Sequence, residues 1–295
     1  MEKFDRNFPH NELQLLPPKA EVETKQVLRR TISASGALAQ LNGTLLNLPK
    51  PILFLDTIYL QEAKAGSEVE NIIIAKDEPY KSLTVDRKIK NSTTKGVLSY
   101  KKALWLGLEE LKTKPFTATN LCVAIVQRIK QNNVSIRKKP GTTLKNTQGE
   151  VINTPQSGEQ IIREKLASLE KFINEPARTA GGDETSSGER SRTIDPLIKM
   201  AILHCQFEAI HPFSDFNGRT GRILMLLYPK ISGLLNTPAI YLSEYFINNK
   251  IEYYRYLGDV KEKNNWEDYI LYTLDMIEET ANKGLKRLNK ISVAM

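Results

Sequence analysis

Two cysteines in 295 residues, Cys122 and Cys205, are too few for a disulfide framework, and both stand within largely apolar stretches. They read as small buried hydrophobes of a reducing compartment. The three histidines, His10, His204 and His211, make no zinc-ligand spacing with those cysteines, so a structural zinc is not expected. No apolar run reaches about 18 residues, and the charged N-terminal stretch holds no signal-peptide core. The expectation is therefore a cytoplasmic protein with no membrane partner. There is no G-x-x-x-x-G-K-S/T run, which excludes the phosphate loop of ordinary ATPases. A dense basic helix is missing too. The net charge of +8 comes from 42 Lys and Arg spread along the chain among 34 Asp and Glu, so a nucleic-acid partner is not favoured. What is present, 40% hydrophobic and 26% charged residues, suits one large globular domain or two smaller ones.

The chemistry concentrates in twelve residues, His211-Pro-Phe-Ser-Asp-Phe-Asn-Gly-Arg-Thr-Gly-Arg222. An apolar helix leads in, and Ile223, Leu224, Leu226 and Leu227 form the apolar face of a helix leading out. Asn217 and Gly218 then stand at that helix's N-terminus, where the first amides lack partners and the dipole favours an anion. Gly218 and Gly221 would let the backbone approach a phosphate. Arg219 and Arg222, three residues apart, can fork two phosphate groups. Asp215 offers a hard oxygen to a Mg2+ ion accompanying them. His211, with an unperturbed pKa of about 6.5, suits a general base acting on an attacking hydroxyl. Phe213 carries no chemistry and is read as a core anchor. Together these parts read as phosphoryl or nucleotidyl transfer.

The stretch resembles the signature of the Fic (filamentation induced by cyclic AMP) family, H-P-F-x-(D/E)-G-N-G-R-x-x-R, with His204 to Ile210 similar to the family's lead-in. Phe216 is the one departure, standing where the family usually has glycine. If the backbone there is left-handed, a bulky residue costs about 1–3 kcal/mol; alternatively it shapes the edge of the pocket. The resemblance implies a protein adenylyltransferase that moves AMP from ATP to a Ser, Thr or Tyr hydroxyl of a target protein, itself included. It implies His211 as base, Asp215 as magnesium ligand, and Phe216, Asn217, Gly218, Arg219, Thr220, Gly221 and Arg222 as the nucleotide-phosphate site. Tyr253 and Tyr254 fit the family's pair beside the nucleobase, or else a place in the core. Lys261 falls where the family often has an asparagine near the base. The alternatives are kinase-like, other nucleotide or phosphocholine transfer on the same fold, or an ATP-binding sensor with low turnover.

The expected fold class is mostly α: a Fic-type helical bundle with a β-hairpin flap, preceded by a helical N-terminal domain. Residues 1–26 read as an extended arm without assigned function. Residues 27–115 read as the helical domain and 116–295 as the catalytic domain. In the first, Leu28, Ile32, Leu38, Leu41 and Leu45 have helical spacing. A second helix, about 53–74, carries Glu70-Asn71, which resembles the end of the family's inhibitory motif, with Gly66 at its Ser/Thr position. By resemblance Glu70 pairs with Arg222 and inhibits in cis. Helices are also expected over 98–111 and 117–132, the latter capped by Thr117 or Thr119. Residues 134–155 read as the hairpin, which by resemblance docks the target by strand addition. Ser157 to Gln160 reads as a capping box for a helix to Asn174, with Ile161, Ile162, Leu166, Leu169 and Phe172 inward. Residues 177–192 read as a loop insertion, and Asp195-Pro196 as a cap with a first-turn proline. His204 is expected to be a hydrogen-bonded core histidine. Whether the chain forms a homo-oligomer is open.

Overall fold

A computed structural model describes residues 5–48, 51–75, 86–113, 115–138, 142–145, 151–175 and 194–294. Apolar residues at three- and four-residue intervals shape nearly all of it into helices. In chain order they are α1 (Lys25–Leu46), α2 (Pro51–Ala75), α3 (Asp86–Thr113), α4 (Ala118–Lys130), α5 (Glu159–Asn174), α6 (Pro196–Ile210), α7 (Asn217–Ile231), α8 (Ser243–Asn248), α9 (Lys250–Lys263) and α10 (Trp266–Ala294). Between α4 and α5, β1 (Leu144–Lys145) pairs antiparallel with β2 (Val151–Asn153), and the register slips between Leu144 and Lys145. This short pairing lies within the span expected for the hairpin. The residues expected to form the 177–192 insertion lie outside the described ones.

α6 sits at the centre. Its apolar residues run nearly all round, and all but Glu208 are buried, so every face needs a packing partner. Those partners are α5, α7, α10 and α1. Asp195 caps α6 by accepting the Leu197 N–H at 2.8 Å, and Pro196 occupies the first turn, where its missing N–H costs nothing. The one lysine on α6, Lys199, is buried, and its ammonium donates to the Glu175 carbonyl at 2.8 Å.

Elsewhere tertiary packing overrides local pattern. In α1 the buried stripe is Val27, Thr31, Ala34, Ala37, Leu38, Leu41 and Leu45, which faces α10. Leu28 and Ile32, expected on that stripe, are 37% and 74% exposed. Small residues at 31, 34 and 37 let α10 come close, and the bulkier side chains are turned outward. The capping box expected before α5 does not form. Gly158 is the N-cap with φ 101°, no side chain caps the helix, and Glu159 instead binds Arg163. Thr117 makes no cap bond to α4 either; the Glu170 carboxylate accepts the Ala118 N–H at 2.8 Å from α5. A charged acceptor from a neighbouring helix satisfies the same orphan donor.

The arm that precedes α1 is tied down. The His10 N–H donates to the Thr154 carbonyl at 3.0 Å, just past β2, and the Gln156 amide donates to the His10 carbonyl at 3.0 Å. Further along, the Leu16 N–H reaches Ser168 on α5, and Gln206 on α6 donates to the Gln14 carbonyl. The arm thus forms one wall of a cleft of about 1130 Å³ whose other walls include Lys165, Cys205, Ala209 and Lys261.

Candidate active site

The turn between α6 and α7 reverses the chain through two left-handed residues. His211, at φ 50° and ψ 60°, closes α6, its N–H donating to the Phe207 carbonyl. Phe216, at φ 66° and ψ 15°, opens α7. A left-handed, non-glycine residue of this bulk costs about 1–3 kcal/mol and must be held by its surroundings. Asn217 supplies much of that hold. Its buried side chain accepts the Phe213 N–H at 2.9 Å and donates to the Phe213 carbonyl at 2.8 Å. Phe213 is fully buried beneath the turn. The Asn217 side chain is therefore engaged by the loop, and what it can offer an anion is its backbone N–H at the start of α7.

A second clamp comes from the stretch before β1. The backbone N–H of Arg137 donates to the Pro212 carbonyl at 3.0 Å, its Nε to the His211 carbonyl at 2.8 Å, and a terminal nitrogen to the Ile210 carbonyl at 3.4 Å. Arg137 is buried, which lowers its pKa. Sequence reasoning missed this residue because it acts across some 74 positions; its only local signal is an arginine ending an apolar–polar alternation.

His211 itself is held in its neutral form. Burial pushes its pKa down to about 3, with further lowering by the charges of Lys261 and Arg137 and a small opposing effect from the Glu208 backbone. Its Nδ1 is buried with no partner at hydrogen-bonding geometry. A neutral imidazole is the form that can take a proton. Lys261 is half-buried, and its own pKa is lowered by burial. The position singled out for a base-proximal residue thus lies within electrostatic reach of His211.

The end of the turn expected to take an anion is the first turn of α7. Arg219 lies with its guanidinium carbon 4.7 Å from the centre of the Phe216 ring. Arg222 is 2% exposed and donates to the Gly66 carbonyl of α2 at 2.9 Å. Thr220 is fully buried, and its hydroxyl donates to the Phe216 carbonyl. The space left by the missing side chain at Gly221 is filled by α6. A Cβ there would come within 2.5 Å of Glu208 Oε1 and close to Phe207 and His204. Gly221 therefore serves the close α6–α7 contact. Asp215 is exposed, with Oδ1 accepting the Phe216 N–H at 2.7 Å. Among the described residues no group of three or more His, Cys, Asp or Glu could hold a metal. A single carboxylate beside a phosphate site is nevertheless the donor set magnesium commonly uses, its remaining ligands being phosphate oxygens and water.

His204 is the core histidine expected. It is fully buried, its Nε2 lies 2.9 Å from the Tyr253 hydroxyl, and burial followed by the Arg222 charge pushes its pKa down to about 3. Tyr253 is buried in an aromatic cluster with Phe246 and Tyr272, and Tyr254, 41% exposed, has its ring centre 5.0 Å from that of Tyr253. Burial pushes the Cys205 thiol up to about 12 and the Cys122 thiol higher still, as inert core groups.

α2 reaches this site through two contacts. One is the bond from Arg222 to Gly66. The other centres on Glu62, fully buried, which accepts from the Ser243 backbone N–H at 2.9 Å, from the Ser243 hydroxyl, and from the Tyr100 hydroxyl at 3.1 Å. Glu62 went unremarked in the sequence, although a carboxylate within the stripe Leu55, Ile58, Tyr59, Ala63 and Gly66 was visible. Gly66 is tight, since a Cβ would lie 3.2 Å from both Ser243 Oγ and a Tyr100 ring carbon. Glu70 falls on α2 one turn beyond Gly66, but its side chain lies outside the described residues.

A family model described as Fic/DOC family N-terminal matches residues 28–109, and one described as Fic/DOC family matches residues 115–228. Protein adenylyltransferase fic-1 of Caenorhabditis elegans is 33% identical over 101 residues, 34% of this chain and 16% of that protein. Probable protein adenylyltransferase aq_aa38 of Aquifex aeolicus is 53% identical over 45 residues, 15% of this chain and 14% of that protein. The match therefore spans only about a sixth of the length of these curated relatives. A solved Fic family protein from Desulfovibrio desulfuricans G20 superposes with a TM-score of 0.62 at 13% identity, covering 92% of this chain and 77% of that one. Fic-1 (aa134–508) from C. elegans gives 0.57 at 20% identity, covering 92% and 74%. At such identities the likeness establishes a shared fold.

Proposed function

Since the chain belongs to the Fic/DOC family, we propose that it transfers AMP from ATP to a Ser, Thr or Tyr hydroxyl of a target protein and is held back in cis by Glu70. The observation that carries this reading is one turn that sets a neutral, partly buried His211 at one end and the first amides of α7 with Arg219 and Arg222 at the other. The α7 amides and Arg219 hold the phosphates, and Arg222 grips the terminal ones once it leaves Gly66. His211 takes the proton of the target hydroxyl as its oxygen bonds to the α-phosphorus. The bond from that phosphorus to the bridging oxygen breaks, and pyrophosphate leaves. Catalysis is chiefly positioning and charge stabilisation. Asp215 would hold magnesium, which when bound neutralises phosphate charge. Tyr254, the exposed member of its pair, faces the base, and Tyr253 backs it. The hairpin aligns the target backbone.

The test incubates the protein with magnesium and cell lysate, with ATP labelled at either the α- or the γ-phosphate. Wild type, Glu70→Gly, and Glu70→Gly with His211→Ala are compared. Transfer of the α label that rises with Glu70→Gly and vanishes with His211→Ala is the expected result. Transfer of the γ label moves the protein to kinase-like chemistry. Bound ATP with no transfer of either label overturns the enzyme reading in favour of a sensor.

A further inference from the structure

Phe216 keeps a left-handed backbone at φ 66° where glycine would fit without strain, and its ring is only partly buried against the core. Packing alone does not account for so large a side chain at this place. The ring does have specific neighbours. The Arg219 guanidinium carbon lies 4.7 Å from its centre, and the Lys130 ammonium, from the last turn of α4, lies 5.9 Å away. Both distances fall within the range in which a cation is attracted to the π-face. Arg219 and Lys130 come from helices α7 and α4, and Phe216 stands at the N-terminus of α7, where the helix dipole favours an anion.

We propose that Phe216 is a positioning residue: its ring orients the Arg219 guanidinium at the α7 N-terminus and draws Lys130 to the same place, making Lys130 an additional cation of a nucleoside-triphosphate site. This rests on the nucleotide-transfer reading above. A bare glycine would relax the backbone and take the ring away from the Arg219 guanidinium, so that more of its ordering falls to the binding step, at a cost in affinity. The aromatic ring adds to its order beforehand and keeps two cationic side chains beside one helix N-terminus.

The test compares wild type with Phe216→Leu, Phe216→Gly, Phe216→Trp and Lys130→Met. Magnesium–ATP affinity is measured by calorimetry, and the arginine Nε–Hε resonances are followed by NMR in nucleotide-free protein. Circular dichroism confirms that each variant is folded. Phe216→Leu and Phe216→Gly are expected to weaken nucleotide binding about threefold to tenfold, and Phe216→Trp to stay within about twofold of wild type. Lys130→Met is expected to weaken binding and flatten its dependence on salt. The ring-current displacement of the Arg219 resonance should vanish in the leucine variant and persist in the tryptophan variant. Leucine or glycine variants that bind as tightly as wild type, or tighter, overturn the proposal. Wild-type protein that binds no nucleotide overturns the functional reading instead, and the Arg219 resonance then decides alone whether the ring holds the guanidinium.

Discussion

Arg222, the last residue of the twelve-residue turn, donates to the backbone carbonyl of Gly66 across 2.9 Å. The arginine we propose as a phosphate ligand is thereby engaged by the helix that carries Glu70. The carbonyl is a weak acceptor next to a phosphate, so the contact is exchangeable. It registers α2 against α7 one turn short of Glu70. Glu70→Gly should therefore raise transfer of the α label by about tenfold or more, equivalent to ~1.4 kcal/mol off the barrier. Initial rates at saturating ATP check it; a rate no higher than that of wild type would show that Glu70 does not restrain the site.

Arg137 holds three successive carbonyls, at Ile210, His211 and Pro212. Arg137→Ala should lower unfolding free energy by about 1–3 kcal/mol through the freed carbonyls and cut the transfer rate by roughly tenfold or more as His211 loses its position. Arg137→Lys should not restore the rate, because an ammonium cannot present two donors in a fixed plane. Urea melts and labelled-ATP kinetics on the same preparations separate the two effects.

The buried Glu62 gives a pH signature. Burial raises its pKa above the ordinary 4.5, against the opposing effects of Ser243, Arg222 and Tyr100. A carboxyl whose folded pKa is raised contributes stability that is complete below the unfolded value and is lost as pH rises through the folded one. Glu62→Gln should therefore gain stability relative to wild type as pH climbs from about 4.5, whereas Glu62→Ala should lose about 2–4 kcal/mol from the orphaned donors of Ser243 and Tyr100. Chemical denaturation at several pH values reads both.

The histidines run the other way. His204 and His211 both have pKa values lowered to about 3, chiefly by burial. The neutral ring stabilises the fold above the unfolded pKa of about 6.5, and that contribution is lost as pH falls from there toward 3. NMR titration of the two rings should show no ionisation between pH 8 and 5. Lys261→Met should raise the His211 value, since the lysine's charge is one of its causes. A wild-type His211 that titrates near 6.5 would contradict the burial described for it.

The legible parts of this protein were those written locally. The cap and proline at Asp195-Pro196, the buried Phe213 and His204, and the contiguous turn from His211 to Arg222 could be read because each depends on neighbours within a few residues. Glu62, Arg137 and Glu208 could not, because their meaning comes from Ser243, His211 and Gly221, placed beside them only by helix packing. The failed capping box before α5 and the outward Leu28 and Ile32 have the same origin. In each, a distant partner offered a better contact than the local pattern did.

The pairing of α1 with α10 joins segments separated by some 220 residues of chain. The stripe Val27, Ala34, Leu38, Leu41 and Leu45 lacks its main covering surface until α10 has left the ribosome. The His211 turn lies within that interval, and α6 beneath it packs on both α1 and α10. A nascent chain can thus carry every residue of the signature and still lack one wall of its central helix. Emergence of α10, rather than synthesis of the signature itself, is the step that completes the packing around α6.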